Sequence, residues 1–130
     1  MLTLTDDHWG QLREVNRTIN RDVRYRADLD LYGRLEHWTA ADTEGDCEDY
    51  ALTKRQRLLA LGWPLAALRL TVCRCEGQGH AVLTVDTDRG VYVLDNRYPD
   101  VMPWKALPYV WISRQGIDGG WVSLLPTAGA

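Results

Sequence analysis

The stretch from Gly45 to Gly62 does most to limit how this chain can fold. It reads Gly45-Asp46-Cys47-Glu48-Asp49-Tyr50-Ala51-Leu52 and runs on to Leu61 and Gly62. Asp46 has the residue type of an N-cap, whose carboxylate accepts from free N–H groups two or three residues on. Asp49, three residues later, stands where a capping-box acid stands. Leu52, Leu58, Leu59 and Leu61 supply an apolar face near the helical period. Lys54, Arg55 and Arg57 bring positive charge toward the C-terminal half, and Gly62 followed by Pro64 stops the helix. Cys47 is therefore expected in the first turn of a helix, where unpaired N–H groups favour negative charge.

A cysteine nucleophile needs a base. Of the three histidines, His8, His37 and His80, only His80 has a suitable setting. It opens the apolar run His80-Ala81-Val82-Leu83-Thr84-Val85, just after the turn Gly77-Gln78-Gly79. The next run, Gly90 to Asn96, carries Asp95 near its end. If the two runs pair as a hairpin, Asp95 lies at the same end of the sheet as His80. Nucleophile on a helix, base on a strand and acid on the neighbouring strand is the chemistry of a Cys-His-Asp triad. Each residue also has a plain structural reading: an inert helix cysteine, a satisfied strand histidine and a turn aspartate, Asp-Asn being a common turn pair.

At 130 residues the chain is long enough for one domain with an ordinary core. A net charge of −3 and the lack of a basic run argue against a dedicated nucleic-acid binder. No apolar stretch approaches the roughly 18 residues of a membrane span. The N-terminal residues lack the basic and apolar regions of a signal peptide, so the expected location is the cytoplasm, or the periplasm if a leader was removed. The three cysteines, Cys47, Cys73 and Cys75, are an odd number and suggest no disulfide framework. Cys73 and Cys75 fall on one face of a strand and read as core thiols, with no second close Cys/His pair to complete a four-ligand metal site.

Residues 7–23 form a first helix, in which Leu12, Val15, Ile19 and Val23 make one apolar stripe. Asn16 and Asn20 share a face beside that stripe, either as a polar shoulder or as amides aimed at an active site. Residues 24–44, with Trp38, lack a sustained period and read as mostly loop. Leu68, Leu70 and Val72 alternate with Arg69, Thr71 and Cys73, the period of a strand. With the runs at His80 and Val91 they give three antiparallel strands, and Tyr109 to Ser113 and Trp121 to Leu125 suggest two more. The expected fold is α+β: an N-terminal helix and a nucleophile helix packed on an antiparallel sheet.

These residues carry a family resemblance. Gly45-Asp46-Cys47-Glu48-Asp49-Tyr50-Ala51, then Lys54, Leu58 and Leu61-Gly62, resembles the signature of the bacterial transglutaminase-like cysteine peptidases, the family of the LapG-type proteases that release biofilm adhesins. His80-Ala81-Val82-Leu83 and Leu94-Asp95-Asn96 resemble its histidine and aspartate motifs, 33 and 15 residues apart in order. Val15-Asn16, Asn20, Tyr25, Tyr32-Gly33 and Trp38 also fall in the family's order, so the likeness covers about residues 12–104. It implies a papain-like or transglutaminase-like core with Cys47 as nucleophile, His80 as base and Asp95 as orienting acid. It also implies calcium at the acids around the nucleophile, which match Asp46, Glu48 and Asp49. This chain is shorter than the adhesin proteases and shows no export signal, so neither their adhesin substrate nor their cyclic-di-GMP receptor is carried over.

The chemistry so implied is acyl transfer to Cys47, ended by water in a peptidase or by an amine in a transglutaminase or deamidase. The Cys47 backbone N–H supplies one oxyanion donor, and Asn16, Asn20 or the Trp38 indole a second. The acids serve as helix caps or as calcium ligands, since carboxylate oxygens suit that cation. A rival reading is a non-catalytic protein-binding module that keeps the fold. The expected partner is a protein substrate, with a regulatory protein left unidentified.

Overall fold

The computed structural model describes residues 2–33, 43–116, 118 and 120–125, excepting the side chains of 24–33 and 43–46. Helices α1 (Asp6–Gly33) and α2 (Thr43–Ala60) precede six strands. These are β1 (Leu68–Cys75), β2 (Gln78–Thr87), β3 (Gly90–Leu94), β4 (Met102–Pro103), β5 (Val110–Gln115) and β6 (Trp121–Ser123). They form one antiparallel sheet in the order β4-β3-β2-β1-β5-β6. The expected α+β arrangement is therefore present, with the central hairpins extended on both sides.

The apolar stripe of α1 is buried as its spacing requires: Leu12, Val15, Ile19 and Val23 all lie in the core. The helix continues to Gly33, so part of the segment read as loop is helical. Trp38 and His37 fall outside the described residues. On α2 the leucine pattern misleads. Leu59 and Leu61, beyond Leu58, are exposed, and the inward face is Cys47, Ala51, Lys54 and Leu58, spaced four, three and four. Lys54, read with Arg55 and Arg57 as positive charge toward the C-terminal half of the helix, is fully buried.

Leu68 and Leu70 of β1, Leu83 and Val85 of β2 and Leu94 join the helices in the main core. Strand alternation sends Cys73, Cys75, Val82 and Val93 to the other face, where Leu107 and Tyr109 cover them. β1 and β2 are joined by Glu76-Gly77, both in the left-handed region with φ of 52° and 77°. That mirror-image turn matches the twist of the strands and fixes their register, with Cys73 opposite His80. Among the described residues no helix is long and apolar enough to cross a membrane.

Leu58 is completely buried where α2 meets the core. Leu58→Ala should cost about 2–5 kcal/mol in urea denaturation, through lost transfer energy and the cavity left behind. Leu59→Ala, on the exposed side, should cost under about 1 kcal/mol.

Candidate active site

The site forms at the end of the sheet where β2 begins and β3 finishes. α2 brings Cys47 there, and its Sγ lies 2.9 Å from His80 Nδ1. His80 Nε2 lies 2.8 Å from Asp95 Oδ1, just past β3. All three side chains are buried. An ionised carboxylate can only accept, so Nε2 carries a proton and Nδ1 faces the sulfur. The other histidine described, His8, is held elsewhere, by its Nδ1 contact to the Thr3 carbonyl and its ring against Trp63.

Asp95 is held from several sides. Tyr109, ahead of β5, donates its hydroxyl to Oδ2 at 2.5 Å, the length of a charge-assisted bond. The Arg97 N–H donates to Oδ1 at 3.0 Å, and the Tyr109 ring packs edge-on against His80. No local pattern marks Tyr109, because β5 joins the sheet beside β1, three places from β3.

Asn16 and Asn20 act on this arrangement from behind. Asn16 donates both amide protons to carbonyls, Tyr98 at 2.9 Å and Pro99 at 3.0 Å. Its oxygen accepts from Lys54 Nζ at 2.8 Å. Asn20 donates to the Asp95 carbonyl at 3.0 Å and the Tyr98 carbonyl at 3.3 Å. Both amides are thus committed to the turn after β3, and neither has a proton left for an oxyanion. The first expected donor changes as well. α2 begins at Thr43, which puts Asp46 inside the first turn rather than at the cap, and a helical N–H at residue 47 has the carbonyl of residue 43 as its acceptor.

A sequence profile of the bacterial transglutaminase-like cysteine proteinases matches residues 1–128. The chain belongs to this family. It is a cysteine peptidase of transglutaminase-like type. Among solved structures it is similar to Legionella pneumophila LapG in calcium-bound form (20% identity, TM-score 0.62, covering 88% of this chain and 67% of that one). It is also similar to LapG in two further forms, one of them EGTA-treated (22% identity, TM-score 0.64, 92% and 68% covered) and the other without a stated treatment (22%, 0.63, 88% and 67%). At these identities the likeness shows the fold. No curated protein matches the sequence.

The acids flanking Cys47 offer oxygen donors only, which is the chemistry calcium prefers. Glu48 and Asp49 are exposed and free to meet a solvent cation, while the side chain of Asp46 lies outside the described set. Among the described residues no group of three potential ligands converges. The donor chemistry therefore suits calcium, and a complete shell would draw on Asp46 and on backbone oxygens.

The electrostatics of the peptidase site rest on opposed shifts. Burial works against charge on His80, but its bonds to Asp95 and Cys47 outweigh burial and raise its pKa to about 9. Burial also works against ionised Asp95, and bonds from His80 and Tyr109 outweigh it, so the acid is held below its usual range. Lys54 goes the other way: burial lowers its pKa to about 7 against the pull of Asp95 and Cys47. Cys73 is raised to about 12, chiefly by burial and then by the Asp95 charge, which keeps it a thiol.

The two cationic groups have opposite linkage. The stability from His80 is full below its unfolded pKa near 6.5 and is lost as pH rises through about 9. Lys54, depressed in the fold, destabilises when charged and relaxes as pH rises from about 7 toward 10.5. Their slopes oppose each other between pH 7 and 9. Lys54→Met should remove one of them, so urea titrations should show this variant losing stability from pH 7 to 9 more steeply than the wild type. Parallel profiles for the two proteins would mean that Lys54 is not titrating in this range.

Proposed function

We propose that this protein cleaves a peptide amide through a Cys47-His80-Asp95 triad and a thioester acyl-enzyme. The observation that carries this reading is the unbroken chain of contacts, 2.9 Å from Cys47 Sγ to His80 Nδ1 and 2.8 Å from His80 Nε2 to Asp95 Oδ1. His80 Nδ1 takes the Cys47 proton, the thiolate sulfur attacks the carbonyl carbon, and that proton passes to the leaving amine as the C–N bond breaks. His80 then takes a proton from water, whose oxygen attacks the thioester, and the C–S bond breaks as that proton returns to the sulfur. Asp95 holds the imidazole in the useful tautomer and stabilises its charge. Tyr109 and Arg97 keep Asp95 ionised while it does so.

A mixture of proteome-derived peptides, searched by mass spectrometry for new termini, tests this directly. The wild type should generate them, and Cys47→Ala and His80→Ala should lower the rate by at least about a thousandfold. Equal cleavage by Cys47→Ala would end the proposal. Incorporation of an added primary amine into glutamine, without new termini, would replace hydrolysis by transglutamination. Because the leaving amine needs the His80 proton, kcat/KM should fall as pH rises through about 9. Asp95→Asn removes the contact that opposes burial, so that fall should move to lower pH.

Calcium belongs to the same proposal. The calcium-bound form of LapG and the acids Asp46, Glu48 and Asp49 beside Cys47 support it. Bound there, the ion would offset the negative charge that the three carboxylates place near the nucleophile. Saturating calcium should raise Tm by several degrees over protein in EGTA, and Glu48→Gln with Asp49→Asn should abolish the difference. Equal Tm values in calcium and EGTA would remove calcium from the account.

A further inference from the structure

The face of the sheet that carries His80 also carries an unfilled apolar groove of about 450 Å³. The register puts the two together. His80 pairs with Cys73, and Cys73 pairs with Trp111 on β5, so these three lie in one row across β2, β1 and β5. Directly paired residues share a face, and neighbouring strands are about 4.8 Å apart, so the Trp111 backbone stands about 10 Å from that of His80. An irregularity at Val72/Cys73 lets one residue of β5 bulge, with Val72 facing Ser113 and Cys73 facing Trp111. That shift of one brings Trp111 and Arg114, three apart in sequence, onto the same face. Without it one of them would point to the opposite face of the sheet.

Trp104, Trp111, Val110 and Leu124 wall the groove, and Thr71, Thr84 and Arg114 supply its polar atoms. Val110 is 57% exposed and Leu124 39%, so the apolar surface opens to solvent. The polar end is under-satisfied. Arg114 and Arg69 share one carboxylate, Asp86, at 2.6 and 3.2 Å, which leaves net positive charge. Arg114 Nε is buried and has no partner. An N–H in that state calls for an acceptor. Apolar walls, one orphan donor and this volume suit a bulky apolar side chain with a carbonyl beside it.

We propose that this groove takes an apolar or aromatic side chain of the substrate polypeptide, about three residues from the scissile amide, and that Arg114 Nε donates to a substrate backbone carbonyl. The spacing follows from the distance of about 10 Å and an extended chain at about 3.3 Å per residue. The occupant is the substrate because the groove continues the row that holds the base, and because Tyr109, which donates to Asp95, directly precedes Val110 and Trp111 of the wall. The inference rests on the peptidase reading.

Two measurements separate the groove from that reading. In the first, Cys47→Ala protein is applied to an array of immobilised decapeptides. It should retain peptides bearing Leu, Phe or Trp over Gly- and Ser-rich controls. Val110→Asp or Leu124→Asp, each at an exposed position and checked for folding by circular dichroism, should reduce that retention about tenfold or more. In the second, the cleavage sites made by the active protein in the peptide mixture are aligned. Apolar residues should concentrate about three positions from the cut on one side, and the aspartate variants should flatten this preference. Array binding without any cleavage would sustain the groove and sink the peptidase reading. Cleavage with the same profile in all variants would sustain the peptidase and overturn the groove. No apolar preference in either measurement would also overturn it. So would a concentration-dependent dimer abolished by Leu124→Asp, which would assign the face to a second copy of the chain.

Discussion

The carboxylate of Asp95 is the contact on which the rest of the site depends. It is almost fully buried, a position that ordinarily favours the protonated acid. It stays ionised because donors from separate elements converge on it: His80 from β2, Tyr109 ahead of β5 and the Arg97 N–H from its own turn. The same residue's carbonyl receives Asn20 from α1. Removing any one donor raises the cost of the charge and weakens the hold on the imidazole. The convergence of these contacts explains why an acid on a turn can be a fixed point of the fold. β2, the segment ahead of β5 and, for its carbonyl, α1 must all be in place before it is satisfied.

The inward face of α2 follows a different logic. A core helix ordinarily offers aliphatic residues there, and α2 offers Cys47, Ala51, Lys54 and Leu58. Lys54 is the costly member, since burial lowers its pKa to about 7 even against the pull of Asp95 and Cys47. It is tolerated because it bridges to Asn16, and through Asn16 to the turn that follows Asp95. Its ammonium also lies near the negative groups of the site, so part of its desolvation is offset where the site is charged. His80 gains from those same groups. The two cations draw on one pool of negative charge and respond to pH in opposite directions, which ties the stability of the core to the protonation state of the site.

The parts of this fold legible in the sequence are those set by short-range pattern. The stripe of Leu12, Val15, Ile19 and Val23 fixed α1, and strict alternation fixed β1. The hairpin reading placed Asp95 at the His80 end of the sheet. The Cys47-His80-Asp95 contacts join α2 to that hairpin. What the sequence hid depends on partners far along the chain. Lys54 carries the label of a surface residue, and only the contact with Asn16 on α1 makes it a core one. Asn16 and Asn20 were legible as a shared face, but their targets lie some eighty residues on, in a turn with no periodic signal. Tyr109 could not be assigned because nothing local says that β5 docks beside β1. The start of α2 departs from the cap pattern for another reason. Asp46 has the chemistry of a cap, but a helix can begin before a good cap residue when its preceding turn also closes, as it does from Thr43.

The sheet divides labour between its faces. The helix side is packing: Leu68, Leu70, Leu83, Val85 and Leu94 meet α1 and α2, and single-residue changes there act on stability. The other side carries His80, Cys73, Thr71, Thr84 and Arg114, and is only partly covered by the segment from Tyr98 to Tyr109. Alternation alone would put every second residue of β5 on that side. The bulge breaks the alternation once, and the break falls between Trp111 and Arg114. An irregularity in a ladder costs hydrogen bonding and is retained where it re-aims a side chain. Here it re-aims two, an indole and a guanidinium, onto the face that carries His80. Geometry of that kind is expected of a surface that must hold an extended polypeptide against His80, and a helix-covered sheet would have no use for it.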